Sequence, residues 1–532
     1  MPSPLPTQTI PSALQAHTLT DLLRAQAAQR PWAPALRQAG AHSPNDPWAS
    51  LSYAALAAVA HAMAQQLGGL VQRGDRVAWL GLNHPAQLAL LFALDQLDAL
   101  LVPLNHRLSP AEWQAVLQDC KPRLLVHDDG FASAAQALAH SFGANCSCWP
   151  VHALAQPSPT PTAPPCAPSS AQPATEHPAR QQPVLLVYTS GTTGQPKGAV
   201  HTRGNLLANM AIAAQVQGMQ ATDRVLTVLP LFHVGGLCIQ TLPALSVGAE
   251  VLLAGRFDAA ATLACIARDR PSLSLQVPAT LQALTRHPSW PNTDLSSLRA
   301  IWAGSSLLPP GPLQAFMARG VPVCNVYGST ETGPFSIALP PEQAHSHLGS
   351  CGWPAPGVAV RLCNPQGDAV PAGAVGELWL RAPNVVQHYW PHTPALDAEG
   401  FFHSGDLAQQ APDGSFTVVG RAKDMLISGG ENIYPAEIEN LLLQHPSVLE
   451  CAVLGQPDAQ WGETVVAVVV LHPDGGHGAA HPDDWAAPLQ AFLHGRLARY
   501  KWPRRWVRRE ALPRTALGKL QKAVLQATLA AV

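Results

Sequence analysis

The sequence has few charged residues for its length, and neither sign of charge dominates. Only 12% of the 532 residues are Asp, Glu, Lys or Arg, and the formal net charge is −2. A nucleic-acid partner normally requires a basic face, so this balance argues against one. The apolar fraction of 47% predicts a globular chain with a large core, and the length predicts several domains or subdomains.

The sequence also predicts no disulfide framework, no signal peptide and no membrane span. The ten cysteines include no C-x-x-C pair, which is typical of reduced thiols in a cytosolic protein rather than of a disulfide framework or a metal site. The N-terminus, MPSPLPTQTI, lacks the charged and apolar regions of a signal peptide. Asp95 and Asp98 interrupt the most apolar long stretch, 86–104, so no transmembrane helix is expected. These absences predict a cytoplasmic protein.

A loop of small hydroxyl residues follows the apolar run 184–187. The string from Tyr188 to Val200 reads YTSGTTGQPKGAV, and ten of its thirteen residues are Gly, Ser, Thr, Lys, Pro or Gln. Glycines let backbone N–H groups approach an anion, hydroxyls add donors and Lys197 adds a point charge. The string therefore predicts a phosphate-binding loop, although Gly198 stands where the common P-loop motif has Ser or Thr.

Alternating helical and strand-like patterns predict parallel α/β layers in residues 11–150 and again in 184–340. Short strands separated by Gly/Pro turns predict a β subdomain over 349–420, and a small α+β domain is expected from about residue 424. The segment 152–183, rich in Pro, Ser, Ala and Thr, is predicted to be a mobile insertion. The individual elements expected are helices at 51–67, 85–97, 436–443 and 485–497 and strands at 76–80, 99–102, 225–229, 250–253, 298–302, 321–326, 448–454 and 464–471.

Six strings with recognisable chemistry occur in one order along the chain. They are YTSGTTGQPKGAV at 188–200, PLFHVGG at 230–236, NVYGSTET at 325–332, HSGDLA at 403–408, GRAKDMLISGGENIYPAEIE at 420–439 and PRTALGKLQK at 513–522. Together they resemble the adenylate-forming superfamily of acyl-CoA synthetases, adenylation domains and firefly-type luciferases. The resemblance implies an α/β fold: a large N-terminal domain, 1–422, with two α/β lobes and a β subdomain, and a small mobile α+β C-terminal domain, 423–532.

The resemblance implies a reaction in two steps. A carboxylate attacks the α-phosphate of ATP to give an acyl-adenylate and pyrophosphate, and a thiol then attacks the acyl carbon and releases AMP. The expected cofactors and co-substrates are ATP, Mg²⁺ and coenzyme A, and the expected partner is a small carboxylic acid. The sequence leaves a homodimer open.

The same resemblance assigns residues to the nucleotide. Lys519 would bridge the carboxylate and the α-phosphate, and Thr330 would hydrogen-bond that phosphate. Asp406 has the two acceptor oxygens needed for both ribose hydroxyls, Arg421 would support the ribose and phosphates, and Tyr327 would lie flat on the adenine. The full set implied to bind ATP or AMP is Thr189, Ser190, Gly191, Thr192, Thr193, Gly194, Lys197, Gly304, Ser305, Ser306, Asn325, Tyr327, Gly328, Ser329, Thr330, Asp406, Arg421 and Lys519.

Further positions follow from the same motifs. Glu331 matches the Mg²⁺ ligand, and a single acid suffices because magnesium prefers phosphate oxygens. Lys423 occupies the hinge position at which the C-terminal domain would swing between the two steps. Ser428, Gly429 and Gly430 would line the coenzyme A tunnel after that swing.

The acyl pocket is implied to contain His233, Val234, Gly235, Gly236, Trp302 and Phe335. His233 is predicted either to act in catalysis or to line the pocket. Relatives that adenylate amino acids have an Asp at the position of His233, so an amino-acid substrate is not expected. The lining segments 233–237, 277–280, 302–306 and 328–335 contain no Arg or Lys, which argues against a dicarboxylate because a buried unpaired charge is unfavourable.

These constraints predict an apolar monocarboxylic acid, preferably a medium- or long-chain fatty acid. Aryl, alicyclic and o-succinylbenzoate-type acids remain alternatives, although the last has a second carboxylate. An acyl-AMP ligase that loads a carrier protein is a further alternative, and the SGGEN string at 428–432 favours coenzyme A as the acceptor.

Overall fold

The computed structural model describes most of the chain. The described residues are 16–40, 46–158, 177–190, 196–304, 308, 310–428, 431–458, 461–472, 485–514 and 520–530. Most of the predicted insertion 152–183 lies outside them. The described α-helices are α1 (Leu19–Gln29), α2 (Tyr53–Leu67), α3 (Pro85–Gln96), α4 (Pro110–Cys120), α5 (Ala132–His140), α6 (Arg203–Val216), α7 (Leu242–Val247), α8 (Ala259–Asp269), α9 (Pro278–Arg286), α10 (Pro310–Met317), α11 (Pro435–Leu442), α12 (Ala487–Leu493) and α13 (Lys522–Ala530).

The strands form four sheets. In chain order they are β1 (Pro34–Gln38), β2 (Ser50–Ser52), β3 (Arg76–Leu80), β4 (Leu100–Pro103), β5 (Leu124–His127), β6 (Ser147–Pro150), β7 (Pro183–Ser190), β8 (Pro196–Thr202), β9 (Arg224–Thr227), β10 (Glu250–Leu253), β11 (Leu273–Gln276), β12 (Ala300–Gly304), β13 (Val323–Tyr327), β14 (Ile337–Ala338), β15 (Trp353–Pro354), β16 (Ala359–Cys363), β17 (Val375–Arg381), β18 (His388–Tyr389), β19 (Thr393–Pro394), β20 (Phe402–Gln410), β21 (Phe416–Arg421), β22 (Leu426–Ser428), β23 (Glu431–Ile433), β24 (Val448–Asp458), β25 (Gly462–Leu471) and β26 (Arg505–Arg508).

The first large sheet has the order β15-β14-β13-β12-β11-β9-β10-β1-β2. Its centre, from β13 to β1, is parallel, and antiparallel strands close both edges. The residues of β10, β11 and β12 are all buried, as expected for parallel strands covered on both faces. Ligands of open α/β sheets bind beyond the carboxyl ends of the strands, where Gly304 ends β12 and Tyr327 ends β13.

The second large sheet has the order β19-β18-β8-β7-β4-β3-β5-β6. Strands β3, β4, β5, β6 and β7 run parallel, whereas β7 and β8 form an antiparallel hairpin that flanks the predicted phosphate loop. The short strand β18 adds to the outer side of β8 and pairs Tyr389 with Ala199. A segment from far along the chain is thereby placed beside the phosphate loop.

Two smaller sheets follow. The antiparallel order β16-β17-β20-β21 places Asp406 directly opposite Arg421. The C-terminal sheet joins β23, β22, β25 and β24, with β26 beside β25, and it packs apolar side chains on both faces. No described helix combines the length and the apolar content that crossing a membrane requires.

The architecture confirms the predicted α/β class, with large parallel-centred sheets, a β layer and a small α+β unit at the C-terminus. The domain limits at 422 and 423 stay a prediction. Strands 76–80 and 250–253 have the predicted bounds, whereas strand 298–302 is shifted two residues to Ala300–Gly304. Helix 51–67 begins later, at Tyr53, because residues 50–52 pair as β2 and Ser52 caps the helix by accepting a hydrogen bond from the Ala55 N–H.

Candidate active site

The predicted phosphate loop lies in the hairpin between β7 and β8. Thr189 pairs with Lys197 in the ladder, and its hydroxyl donates to the Lys197 carbonyl at 3.4 Å. Lys197 is exposed, so its ammonium is available to an anion. Ser190 ends β7. The remaining predicted loop residues, Gly191, Thr192, Thr193 and Gly194, lie outside the described residues.

A tight turn follows β13 at Gly328. A Cβ at this position would lie 1.7 Å from the carbonyl oxygen of Pro334, so only glycine lets the two backbones approach. The Ser329 N–H donates to the Thr332 hydroxyl at 2.9 Å, which starts the short 3-10 helix Thr330–Thr332. The Ser329 hydroxyl is buried and has no hydrogen-bond partner in the part of the chain described. A buried orphan hydroxyl favours a site that receives a polar ligand.

The predicted ribose ligand Asp406 is held on both sides. The Tyr327 hydroxyl donates to Asp406 Oδ2 at 2.7 Å, and Arg421 Nε lies 2.8 Å from Oδ1. Burial first, and the Asp406 carboxylate next, raise the pKa of Tyr327 well above its ordinary value, so its hydroxyl stays protonated and keeps donating. Tyr327, predicted to contact the adenine, and Arg421, predicted to contact the ribose and phosphates, therefore both contact the carboxylate of Asp406.

Glu331 fits the predicted magnesium ligand. Its Oε1 accepts a hydrogen bond from the Tyr389 hydroxyl at 2.9 Å, and in the described structure no donor contacts Oε2. Mg²⁺ in nucleotide sites is held by one or two carboxylates together with phosphate oxygens, so one free carboxylate oxygen is a sufficient protein ligand. Thr330, next to it, is buried.

Tyr389 was missed by the sequence analysis. Its ring centroid lies 5.6 Å from Lys197 Nζ, so this tyrosine contacts both the metal-ligand candidate and the lysine of the phosphate loop. We call the six residues joined by these contacts and by the turn 327–331 the phosphate–ribose cluster. It comprises Lys197, Tyr389, Glu331, Tyr327, Asp406 and Arg421.

Asn325, also predicted to bind ATP, contacts a neighbouring loop. Its side-chain amide donates to the Ser350 carbonyl at 3.1 Å and lies 3.5 Å from Cys351 Sγ. These contacts brace β13 against the loop before β15, which indicates a structural role. Its nucleotide role stays a prediction.

His233 begins the predicted acyl side. The Gly235 N–H donates to His233 Nδ1 at 2.9 Å, so the neutral ring carries its proton on Nε2. Val234 and Gly236 are buried, and a Cβ at Gly236 would lie 2.3 Å from the Pro230 carbonyl oxygen. A π-helix follows at Gly235–Thr241, which the sequence analysis did not predict. Such helices are rare and are frequently found at functional sites.

Trp302 and Phe335 form what we call the aromatic wall. Their ring centroids are 5.8 Å apart with planes tilted by 51°, and both side chains are fully buried. Trp302 Nε1 has no hydrogen-bond partner among the described residues. The Phe335 N–H donates to Asn209 Oδ1, and Asn209 donates to the Cys238 carbonyl in the π-helix. Asn209, another residue that the sequence analysis missed, thus ties the wall to the segment after His233.

The C-terminal predictions are partly described. Lys423 is exposed in the 3-10 helix Ala422–Asp424, which begins directly after Arg421, and its hinge role stays a prediction. Ser428 is buried at the end of β22. The predicted residues Ser305, Ser306, Gly429, Gly430 and Lys519 lie outside the described residues.

Two family models match this chain. The model described as AMP-binding enzyme matches residues 23–390, and the model described as AMP-binding enzyme C-terminal domain matches residues 437–519. The chain belongs to the AMP-binding enzyme family. The predicted family membership is therefore confirmed, and the chain is an AMP-forming acid–thiol ligase that uses ATP.

Individual relatives match over nearly the whole chain. The indoleacetate–CoA ligase of Aromatoleum aromaticum is 42% identical over 490 residues, which cover 90% of this chain and 92% of that protein. The feruloyl-CoA synthase of Amycolatopsis sp. is 38% identical over 502 residues, which cover 93% of this chain and 96% of that protein. The solved o-succinylbenzoate coenzyme A synthetase of Bacillus subtilis, in complex with ATP and magnesium ion, has a TM-score of 0.80 at 30% identity, with 96% and 99% of the chains covered.

Proposed function

We propose that this ligase activates an aromatic monocarboxylic acid with ATP and Mg²⁺ and transfers the acyl group to coenzyme A. The observation that carries the proposal is the aromatic wall of Trp302 and Phe335, which is fully buried and tied to the segment after His233. An aromatic acid that reached these two rings would pack edge-to-face or offset against them, with a contribution of about 0.5–1.5 kcal/mol per pair beyond area burial.

The relatives support the same substrate class. Proteins named for ligating indoleacetate and ferulate, both aromatic acids, align with this chain at 42% and 38% identity. The lining segments contain no Arg or Lys, which is consistent with an acid that has one carboxylate and no second charge. The earlier preference for a fatty acid stays a prediction, and it becomes the competing arm of the test.

In the first step, a carboxylate oxygen would attack the α-phosphorus, the bond from that phosphorus to the bridging oxygen would break, and pyrophosphate would leave. Two anions meet here, so positive charge at the phosphates must stabilise the transition state. Lys197 and Lys519 would supply ammonium groups, and Thr330 a hydroxyl donor. Mg²⁺, when bound at Glu331, would add further positive charge.

The ribose would be held by Asp406, which accepts from Tyr327 and pairs with Arg421 in this structure and has the two carboxylate oxygens suited to two hydroxyls. In the second step, the coenzyme A sulfur would attack the acyl carbon, the carbon–oxygen bond to AMP would break, and the thiol proton would be lost. His233 would line the acyl side of the site in this step.

Pyrophosphate release across a panel of acids tests the proposal. The panel contains indoleacetate, phenylacetate, ferulate, benzoate, octanoate, palmitate and malonate, each with and without coenzyme A. We expect turnover that requires coenzyme A and has its highest kcat/KM on an aromatic monocarboxylate. A maximum on octanoate or palmitate would replace the aromatic acid with a fatty acid. A single equivalent of pyrophosphate without stimulation by coenzyme A would indicate a carrier-protein acceptor.

A further inference from the structure

Tyr389 lies between two groups that the proposed function assigns to the phosphates. Its hydroxyl donates to Glu331 Oε1 at 2.9 Å, and its ring centroid lies 5.6 Å from Lys197 Nζ. Neither neighbour is close to Tyr389 in sequence. Glu331 is 58 residues earlier, and Lys197 lies still earlier, on strand β8. One side chain therefore contacts both the candidate metal ligand and the cation of the phosphate loop.

Backbone hydrogen bonds fix Tyr389 from both sides. Strand β18 pairs Tyr389 with Ala199, and the next residue, Trp390, donates its N–H to the Gly198 carbonyl at 2.7 Å. Three residues before Tyr389, the Val386 N–H donates to the Glu331 carbonyl at 2.8 Å. The tyrosine is thus held against both elements that it contacts through its side chain, so its contacts are built into the fold.

A hydroxyl on one carboxylate oxygen has a definite effect on a metal ligand. It fixes the rotation of the carboxylate plane and leaves the second oxygen for the ion, which is the usual role of residues that orient metal ligands. The ring has a separate effect, since an ammonium over an aromatic face is held by about 0.5–1 kcal/mol at an exposed site. A tyrosine phenol is ordinarily protonated at neutral pH, so its hydroxyl is available as a donor to the carboxylate.

We infer that Tyr389 is a positioning residue for adenylation: its hydroxyl orients Glu331 toward the Mg²⁺–nucleotide complex, and its ring holds Lys197 beside the phosphates. This inference rests on the proposed function, which assigns Mg²⁺ to Glu331. The thiol-transfer step uses neither group, so the effect of Tyr389 is confined to the first step.

Metal affinity gives a readout that does not depend on turnover. We would measure Mn²⁺ binding to the enzyme in the presence of a non-hydrolysable ATP analogue by electron paramagnetic resonance. Tyr389→Phe removes only the hydroxyl and should weaken Mn²⁺ binding about tenfold, the lower end of the range for residues that orient metal ligands. Tyr389→Leu also removes the ring and should in addition weaken binding of the nucleotide measured without metal.

Three controls separate the possible outcomes. Tyr500→Phe, the same change at a 43% exposed tyrosine, should leave both affinities unchanged. Thiolation of a supplied acyl-adenylate should proceed at the wild-type rate in Tyr389→Phe. The thermal unfolding midpoint of this variant reports whether its fold is intact. Glu331→Gln should reduce Mn²⁺ affinity at least as much as Tyr389→Phe.

The proposed function and the inference fail differently. If Glu331→Gln keeps the wild-type Mn²⁺ affinity, the metal assignment in the proposed function is wrong. If Glu331→Gln loses Mn²⁺ while Tyr389→Phe binds it normally, the positioning role of Tyr389 is wrong and the metal assignment stands. Equal losses of adenylation and thiolation in a folded Tyr389→Phe enzyme would also overturn the positioning role.

Discussion

The phosphate–ribose cluster and the aromatic wall are built from opposite kinds of interaction. In the cluster, polar contacts such as Tyr327 to Asp406 and Tyr389 to Glu331 orient each charged group. In the wall, Trp302 and Phe335 are fully buried, and the indole nitrogen has no partner in the described structure. In the proposed function, this difference assigns the reaction to oriented charge and the choice of acid to the shape of an apolar region.

The largest effect should come from removing a charge on the phosphate side. We expect Lys519→Ala to slow acyl-adenylate formation by about 10²–10³-fold, the effect of losing one donor to developing charge. Pyrophosphate release measures this loss. Thiolation of a supplied acyl-adenylate should be preserved, and adenylation at the wild-type rate would contradict the role given to Lys519.

Asp406→Asn tests the ribose side of the cluster. One of the two acceptor oxygens becomes a donor, and hydrogen bonds to charged groups contribute about 1.5–3 kcal/mol, so the KM for ATP should rise about 10–100-fold. Steady-state kinetics at saturating acid measure this rise. Asp413→Asn, in the turn after β20, makes the same change at an exposed carboxylate and should leave the KM for ATP unchanged. An unaltered KM in Asp406→Asn would remove Asp406 from the ribose site.

Trp302→Phe tests the aromatic wall. The smaller ring leaves more space, so the ratio of kcat/KM for a bicyclic over a monocyclic acid should rise about tenfold, within the range for small changes in an apolar pocket. The KM for ATP should not change, because Trp302 is not part of the phosphate–ribose cluster. Trp32→Phe, at a 64% exposed tryptophan, is the matched control. If the ratio in Trp302→Phe stays equal to that of the wild type, as expected for Trp32→Phe, Trp302 does not set the choice of acid.

The smallest effect should come from changing the predicted hinge residue, Lys423. Lys423→Pro restricts the backbone after Arg421, and we expect a several-fold larger loss in thiolation than in adenylation because the predicted domain swing would serve the second step. Lys423→Ala removes the side chain but keeps the backbone free, and it should retain both rates. Equal losses in both steps of Lys423→Pro would argue against a hinge.

Local sequence predicted much of this fold. Strand β10 has the predicted bounds because its four residues are all buried and lie between turn residues. Strand β12 was placed two residues early, since its end depends on pairing with β13, where Gly304 lies opposite Val326. That partner is 22 residues away in the sequence, and the apolar pattern alone does not encode the register.

The residues of the candidate site likewise divide into those that the sequence predicted and those that it did not. Tyr327, Asp406 and Arg421 could be assigned from their motifs, and their mutual contacts agree with one nucleotide site. Tyr389 and Asn209 could not, because each acts through partners that only the tertiary fold brings near. The one local signal for Tyr389 is an aromatic residue in the string HYW, which is equally typical of a core strand.

The pairing of β18 with β8 has a consequence for the order of synthesis. The hairpin β7–β8 emerges from the ribosome nearly two hundred residues before Tyr389, yet among the described strands its outer edge pairs with β18 alone. Strand β1 likewise pairs with β10, which is synthesised much later. Long-range pairing of this kind is slow and leaves unpaired edges in partial chains. We therefore expect nascent chains that end before residue 390 to need chaperone protection, and the N-terminal sheets to become protease-resistant only once that residue has been released.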